Sequence, residues 1–417
     1  MEQPGLIPQQ INRETYTDRP LYVEFARQIL SPPGDDARIS LFFQGLLDVV
    51  HNRHVPDELQ AVTAQNTQRL LNTAKLANDS STYAANKILR CFQKQFMYRN
   101  SGTDYPFTDA DVLPWRNAIL TVMSSERFDE IMNDMVTRET QSNIVQRYNV
   151  LKFIIAACLD EAIEAPQVID VGCSQNLGLK KIGINSGFET VRLAGSSHNG
   201  TDVSLRTLGQ RYNRIISQPV RLGRSLGVDL FDMRKTSNVE WVHACSSYPS
   251  ELLQTERLQE TKELKSANLP EVSFEQVDIT TYKPSRGNQQ QFNDRRRYDV
   301  AFASTVMYQM TDAEREATFN NIYNHLKPGG LLVVQDFVKM KNNKLLFSGP
   351  GSDRYIYKTF IKDKRGNYDV PTEVFTWENA RCTRVELGLG LLAIHGASMT
   401  VSGLLATLLK TRARVGP

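Results

Sequence analysis

The feature that most constrains this chain is an alternation that begins at Val168. Val168-Ile169-Asp170-Val171 is a short apolar run, and it ends in a small-residue loop, Gly172-Cys173-Ser174-Gln175-Asn176-Leu177-Gly178. Strand-like and helix-like segments then take turns. Residues 239–244 (VEWVHA) read as a strand, and Pro249 to Ala267 reads as a helix. Val272–Asp278 and Tyr298–Ala303 read as further strands. Thr311-Asp312-Ala313-Glu314 has the form of a capping box, and Phe319, Ile322, Tyr323 and Leu326 share one face of the helix that follows. Lys327-Pro328-Gly329-Gly330 stops that helix, and Leu331–Val334 is the unbroken apolar run of a strand buried on both faces. Such alternation predicts a parallel sheet with helices on both sides.

The preceding residues have a different period. Ile39, Phe42, Phe43, Leu46, Leu47 and Val50 recur at helical spacing, as do Ile88, Leu89, Phe92 and Phe96, and later Val150, Phe153, Ile154 and Cys158. Turn signals at 31–36, 78–81 and 99–106 divide them, and no repeat of fixed period is present. The expected organisation is an all-α domain over 1–150, serving as cap, substrate-binding or dimerisation unit, followed by an α/β domain over 151–417. An insertion is expected near 186–235, folding over the site as part of a lid.

Composition narrows the function classes. The 417 residues are 41% hydrophobic and 23% charged, which excludes a disordered or collagen-like chain. Forty-nine basic against 46 acidic residues leave a net charge of +3, which argues against nucleic acid as the partner. The five cysteines, Cys91, Cys158, Cys173, Cys245 and Cys382, form no C-x-x-C pair, so neither a zinc site nor a disulfide framework is expected, and a reducing, cytoplasmic compartment suits them. The first twenty residues lack the apolar core of a secretory signal. Leu387–Leu409 carries no charged side chain, but Gly396 and Gly403 break it into short runs, so buried strands are expected there and not a membrane span.

Ligands of such sheets bind beyond the carboxyl ends of the strands, where small residues and helix starts admit a close approach. Four segments in order, VIDVGCS (168–174), FEQVDIT (274–280), YDVAFASTVMYQM (298–310) and LKPGGLLVVQDF (326–337), together resemble the class I S-adenosylmethionine-dependent methyltransferases. The resemblance covers roughly residues 150–400. It implies a Rossmann-like, mostly parallel seven-stranded sheet with helices on both faces, and S-adenosyl-L-methionine as cofactor. It further implies that the loop holding Asp170, Gly172, Cys173 and Ser174 takes the amino-acid end of the cofactor. Asp278 and Ile279 would lie beside the adenine, and Ser304 to Tyr308, with Thr305, would floor the site near the methyl group.

Ser174 and Asn176 stand where that family usually has glycines, and Gly178 is the residue expected to restore flexibility. The acid that grips the ribose is open. If VEWVHA is the second strand, its end offers Ala244, Cys245 or Ser246 and no carboxylate; if Gly227-Val228-Asp229 is the strand, Asp229 serves. A nicotinamide site is disfavoured, because G-x-G-x-x-G is absent from the loop.

Methyl transfer draws mainly on alignment and desolvation, with a base needed only for a protonated acceptor. Tyr308, His198 and Asp336 are the candidate catalytic groups, while His325, near a helix C-terminus, reads as structural. Arg206, Arg211, Arg214, Arg221, Arg224 and Arg295-Arg296-Arg297 read as a solvated face. The expected partner is a small-molecule acceptor methylated at O, N or C. A protein or RNA methyltransferase, or a non-catalytic module that keeps the fold, are the alternatives.

Overall fold

The structure is a computed structural model. It describes residues 19–32, 36–76, 81–98, 110–138, 140, 144–159, 163–193, 210, 212–249, 255–281, 298–341, 344–347, 356–363, 372–377, 382 and 384–387. The chain divides into two units, 1–139 and 140–417. The division falls before the helix that begins at Asn149, so that helix belongs with the sheet and not with the helical unit.

The first unit holds helices α1 (Arg19–Leu30), α2 (Ala37–Val50), α3 (Asp57–Leu76), α4 (Ser81–Tyr98), α5 (Val112–Met123) and α6 (Arg127–Thr137). Asp36 and Asp111 cap α2 and α5 by accepting from the amides of Arg38 and Leu113. The apolar spacing of α2 and α4 delivers Phe42, Phe43, Phe92 and Phe96 to one core, where Trp115 meets Phe42 and Phe96 edge-on at ring separations of 6.4 Å. One buried carboxylate, Asp134, is neutralised twice, by Lys94 at 2.6 Å and Arg138 at 2.8 Å.

The second unit opens with a 3₁₀ turn (Val145–Tyr148) that runs into α7 (Asn149–Cys158). It continues as β1 (Val168–Val171), α8 (Leu177–Gly183), β2 (Arg192–Leu193), β3 (Ser225–Asp229), α9 (Thr236–Ser246), α10 (Thr255–Ser266), β4 (Val272–Gln276) and β5 (Tyr298–Ser304). After α11 (Asp312–His325) come β6 (Leu326–Lys341), β7 (Lys344–Phe347), β8 (Ile356–Asp363), β9 (Thr372–Trp377) and β10 (Arg384–Leu387). Thr311 and Glu314 form the expected capping box at the start of α11. Among the described residues the sheet has ten strands, in the order β2-β10-β9-β8-β6-β5-β1-β3-β4 with β7 paired to β6, where seven were expected.

The five strands from β4 to β6 are parallel, and β1 sits centrally between β3 and β5. Chain order reverses at β1: from there the chain steps outward to β3 and β4, then crosses to β5 and β6. That is the doubly wound arrangement, with its ligand crevice beside β1. Beyond β6 the sheet becomes an antiparallel meander, β6-β8-β9-β10. Successive side chains point to opposite faces. Val168, Val300, Phe302 and Val333 pack with Val150, Leu151 and Ile154 of α7. Ile169, Ala301, Ala303 and Val334 pack on the other face with Ile322 of α11.

Two expectations change. Residues 239–244 are helical, within α9, because their apolar side chains follow a helix: Trp241, Val242, Ala244 and Cys245 are buried at helical spacing. Across so short a stretch, that pattern also reads as strand alternation. The described part of the insertion is no lid. β2 pairs with β10 at the sheet edge, and Tyr212, Ile215, Ile216, Val220 and Leu222 lie in the core; residues 194–209 and 211 are outside the described set. Most of Leu387–Leu409 is outside it too, and among the described residues no helix is long and apolar enough to cross a membrane.

Candidate cofactor site

The loop after β1 is built from backbone geometry few residues tolerate. Gly172 has φ +70°, and a β-carbon built there lies 2.9 Å from the Val306 side chain. Ser174 (φ 53°) and Asn176 (φ 58°) are left-handed as well. They adopt the conformation that the missing glycines would have supplied, Asn at small cost and Ser at more. Asn176 is further tied by its Nδ2, which donates to the carbonyl of Ser273 at 2.8 Å. Gly178 therefore plays another part than the expected one. It lies inside α8, and a β-carbon there falls 2.2 Å from the Tyr148 ring, so the glycine makes room for Tyr148.

Tyr148 matters because its hydroxyl donates to Asp170 Oδ2 at 2.6 Å. Asp170 is buried near the end of β1, and burial pushes its carboxyl up to about 7, opposed by the Tyr148 hydrogen bond and aided by the nearby Asp229. Asp229 ends β3, the second parallel strand, so the structure selects the carboxylate among the sequence alternatives. Its Oδ2 accepts from the Ser174 amide at 2.9 Å and its Oδ1 from the Phe231 amide at 3.3 Å. Desolvation still raises it to about 6. Cys245 lies in α9, not at a strand end, which removes it from this position.

Elsewhere the candidates spread along the strand tips. Cys173 is buried in the loop, and burial raises its thiol well above the ordinary range. Asp278 is exposed just past β4 and closes a small turn, accepting at Oδ1 from the amide and hydroxyl of Thr280. Ile279 is buried in the core beside it. Ser304 ends β5, with its Oγ 3.2 Å from the Tyr357 hydroxyl. Thr305 has φ +55°, a strained conformation for a β-branched residue. Asp336 is fully buried and pushed up to about 7 by desolvation, but both oxygens are engaged by backbone: Oδ2 accepts from Met307 and Tyr308, Oδ1 from Phe337. That carboxyl holds the turn after β5. Tyr308 stacks edge-on to Phe337 at 5.6 Å, and desolvation raises its phenol to about 12. His198, Arg206, Arg211 and Arg295–Arg297 are outside the described residues; Arg214, Arg221 and Arg224 are exposed.

Strand order and loop now stand together: a switch point at β1, a left-handed turn beyond it, and acids at the tips of β1 and β3. The fold is a Rossmann-like α/β fold. No family model matches the chain, and a search of curated proteins finds no relative. Solved structures similar to it include SpnF, a [4+2]-cyclase, over 49% of this chain and 51% of that one, at 16% identity and TM-score 0.25. Another is the N-methyltransferase NodS from Bradyrhizobium japonicum WM9 with S-adenosyl-L-homocysteine, over 46% and 62%, at 12% identity and TM-score 0.24. A third is the Burkholderia thailandensis 1,6-didemethyltoxoflavin-N1-methyltransferase, over 61% and 69%, at 12% identity and TM-score 0.21. The match thus spans about half of SpnF and about three fifths of NodS.

The residues of this loop and of the β1 and β3 tips fit a cationic nucleoside. Ser174 Oγ is buried with no hydrogen-bond partner among the described residues. Asp170 and Asp229 are both held above their ordinary range by desolvation, and a positive charge beside them relieves it.

Sequence reasoning missed the segment Gln146-Arg147-Tyr148-Asn149. Four polar or aromatic residues just ahead of the apolar run VLKFIIAA were the available signal. Each binds a different element. Gln146 exchanges two hydrogen bonds with the Glu189 backbone, and Arg147 Nη1 donates to Thr305 Oγ1 at 2.5 Å. Asn149 accepts from the Tyr212 hydroxyl and donates to the Cys382 carbonyl.

Proposed function

We propose that this protein is an S-adenosyl-L-methionine-dependent methyltransferase with a small-molecule acceptor. The observation that carries the reading is the pair Asp170 and Asp229 at the tips of adjacent parallel strands, joined by a left-handed loop whose Ser174 hydroxyl lacks a partner among the described residues. In this reading the loop 172–176 takes the amino-acid end of the cofactor, Asp229 the ribose hydroxyls, and Asp278 with Ile279 flanks the adenine. The bound cofactor supplies a methyl group activated by its sulfonium.

The chain's own part is binding, orientation and exclusion of water. Tyr308 keeps its proton at neutral pH, since its phenol lies near 12, and Asp336 is spent on three amides. In this reading the acceleration comes mainly from alignment and desolvation. Asp229 at the end of β3 stands where a ribose-binding acid belongs, which supports a cofactor-binding site over a non-catalytic module. The near-neutral charge favours a small acceptor over a nucleic acid.

Incubation of the protein with methyl-labelled adenosylmethionine and a fractionated cell extract tests this. Label is expected in the small-molecule fraction. Label confined to protein or RNA would overturn the acceptor class, and no transfer to any fraction would overturn the activity.

A further inference from the structure

The reading above leaves one buried polar side chain at the strand tips without a part. Gln335 lies on β6, opposite Ser304 of β5 and Thr359 of β8. It stands one residue beyond the level at which Val171 of β1 meets Ala303 of β5. That level is the carboxyl rim of the parallel core, where doubly wound sheets take their ligands. Side chains alternate along a strand, so Gln335 shares the face of Val333, which packs with α7. It is fully buried.

Its surroundings form one chain of hydrogen bonds. Gln335 Nε2 donates to Cys382 Sγ at 2.9 Å, and the Tyr357 hydroxyl bonds to the same sulfur. The Tyr357 hydroxyl is also 3.2 Å from Ser304 Oγ. Cys382 is left-handed, with φ 57°, a strained setting for a residue that carries a side chain. It is held there by Asn149, whose Nδ2 donates to its carbonyl at 3.0 Å. Burial pushes both the Cys382 thiol and the Tyr357 phenol well up, so both keep their protons at neutral pH. Ser304, Tyr357, Cys382 and Gln335 are thus a chain without a charged member.

One end of that chain is open. Gln335 Oε1 is buried with no hydrogen-bond partner among the described residues. An amide here returns little to the fold: its Nε2 meets sulfur, a weak acceptor, and its carbonyl forgoes the bond it has in water. An apolar side chain would continue the run Leu331–Val334 without that cost. A buried chain complete except for one acceptor is completed by a donor from outside it.

We infer that Gln335 is a specificity-determining residue of the acceptor site, and that its Oε1 receives a neutral N–H or O–H of the methyl acceptor. The inference deepens the methyltransferase reading and rests on it. An amide carbonyl is not a base at neutral pH, so Gln335 orients the acceptor and takes no proton from it. The acceptor class is a small molecule carrying an uncharged amine, amide or hydroxyl group. A carboxylate or phosphate group offers no donor to Oε1.

The test compares wild type, Gln335→Met and Gln335→Glu. The first variant removes the carbonyl at nearly the same volume, and the second keeps an acceptor oxygen. Three quantities are measured for each: the unfolding midpoint of the free protein, the affinity for adenosylhomocysteine by calorimetry, and the amount of the labelled small-molecule fraction of the extract that gives half-maximal methyl transfer. Gln335→Met should unfold at or above the wild-type midpoint, bind adenosylhomocysteine as wild type does, and need roughly threefold to tenfold more of the fraction, as for a lost neutral hydrogen bond. Gln335→Glu should recover part of that loss. A Gln335→Met protein that is less stable than wild type, or does not fold, marks a structural tie and overturns the inference. An unchanged half-saturating amount overturns it as well, and so does a parallel fall in adenosylhomocysteine affinity, which would place Gln335 on the donor side. If wild type labels no small-molecule fraction, the methyltransferase reading fails and takes this inference with it; if wild type transfers and Gln335→Met matches it, this inference alone falls.

Discussion

The two halves of the strand-tip row are chemically opposite. On the β1, β3 and β4 side the tips present acids, Asp170, Asp229 and Asp278, around a loop held open by left-handed residues. On the β5, β6 and β8 side Arg147 sits among hydroxyls and phenols, and Asp336, the acid of that side among the described residues, is tied to backbone. The contrast teaches that the row of strand tips is polarised along the sheet.

The contrast is most easily broken at the loop. Gly172→Arg is expected to abolish adenosylmethionine binding, measured by calorimetry, since the new side chain fills the turn and its β-carbon already meets Val306 at 2.9 Å. A left-handed non-glycine also costs roughly 1–2 kcal/mol, so the unfolding midpoint should fall while the protein stays folded. Unchanged affinity would remove the loop from the site.

Asp229→Ala sharpens the acidic half. Loss of a carboxylate that bonds a ligand costs roughly 1.5–3 kcal/mol, so adenosylhomocysteine should bind about tenfold to a hundredfold more weakly. A variant as tight as wild type would show that the end of β3 does not grip a ribose.

Proton linkage probes the same half without a ligand. Asp170 lies at about 7 in the fold against an ordinary 3.8. Its neutral form therefore stabilises the fold fully below about pH 4, and that contribution is lost as pH rises through about 7. Asp170→Asn, which keeps an acceptor for Tyr148, should flatten the fall in stability of the free protein across that window, read from denaturant midpoints at pH 4, 5.5 and 8. A cationic ligand runs the other way and should bind wild type more tightly at pH 8 than at 5.5. A decline as steep in the variant as in wild type would discount the buried acid.

Asp278→Ala is the smallest effect. The carboxyl is exposed and one oxygen is committed to Thr280, so a loss of about 1 kcal/mol or less in nucleoside affinity is expected. A loss as large as that of Asp229→Ala would shift the centre of binding toward β4.

The same two halves differ in how far the sequence disclosed them. Val168–Val171, Tyr298–Ser304 and Leu331–Val334 are dense apolar runs, because strands covered on both faces need them, and the parallel core was legible for that reason. Asp229 stayed ambiguous because Ser225–Asp229 is short and contains a glycine, whereas VEWVHA imitates strand alternation inside a helix. The meander β8 to β10 gave no motif, since its strands mix apolar and polar residues. Arg147 and Tyr148 were invisible for a different cause. Their partners Thr305 and Asp170 are far away in the chain, and only folding brings a polar turn before α7 to the strand tips.

The most direct test of the central claim is calorimetric titration of the intact protein with S-adenosyl-L-methionine at pH 8. Saturable one-to-one binding that Gly172→Arg removes and Asp229→Ala weakens is the predicted result. No heat of binding in wild type, or binding indifferent to both substitutions, would contradict it.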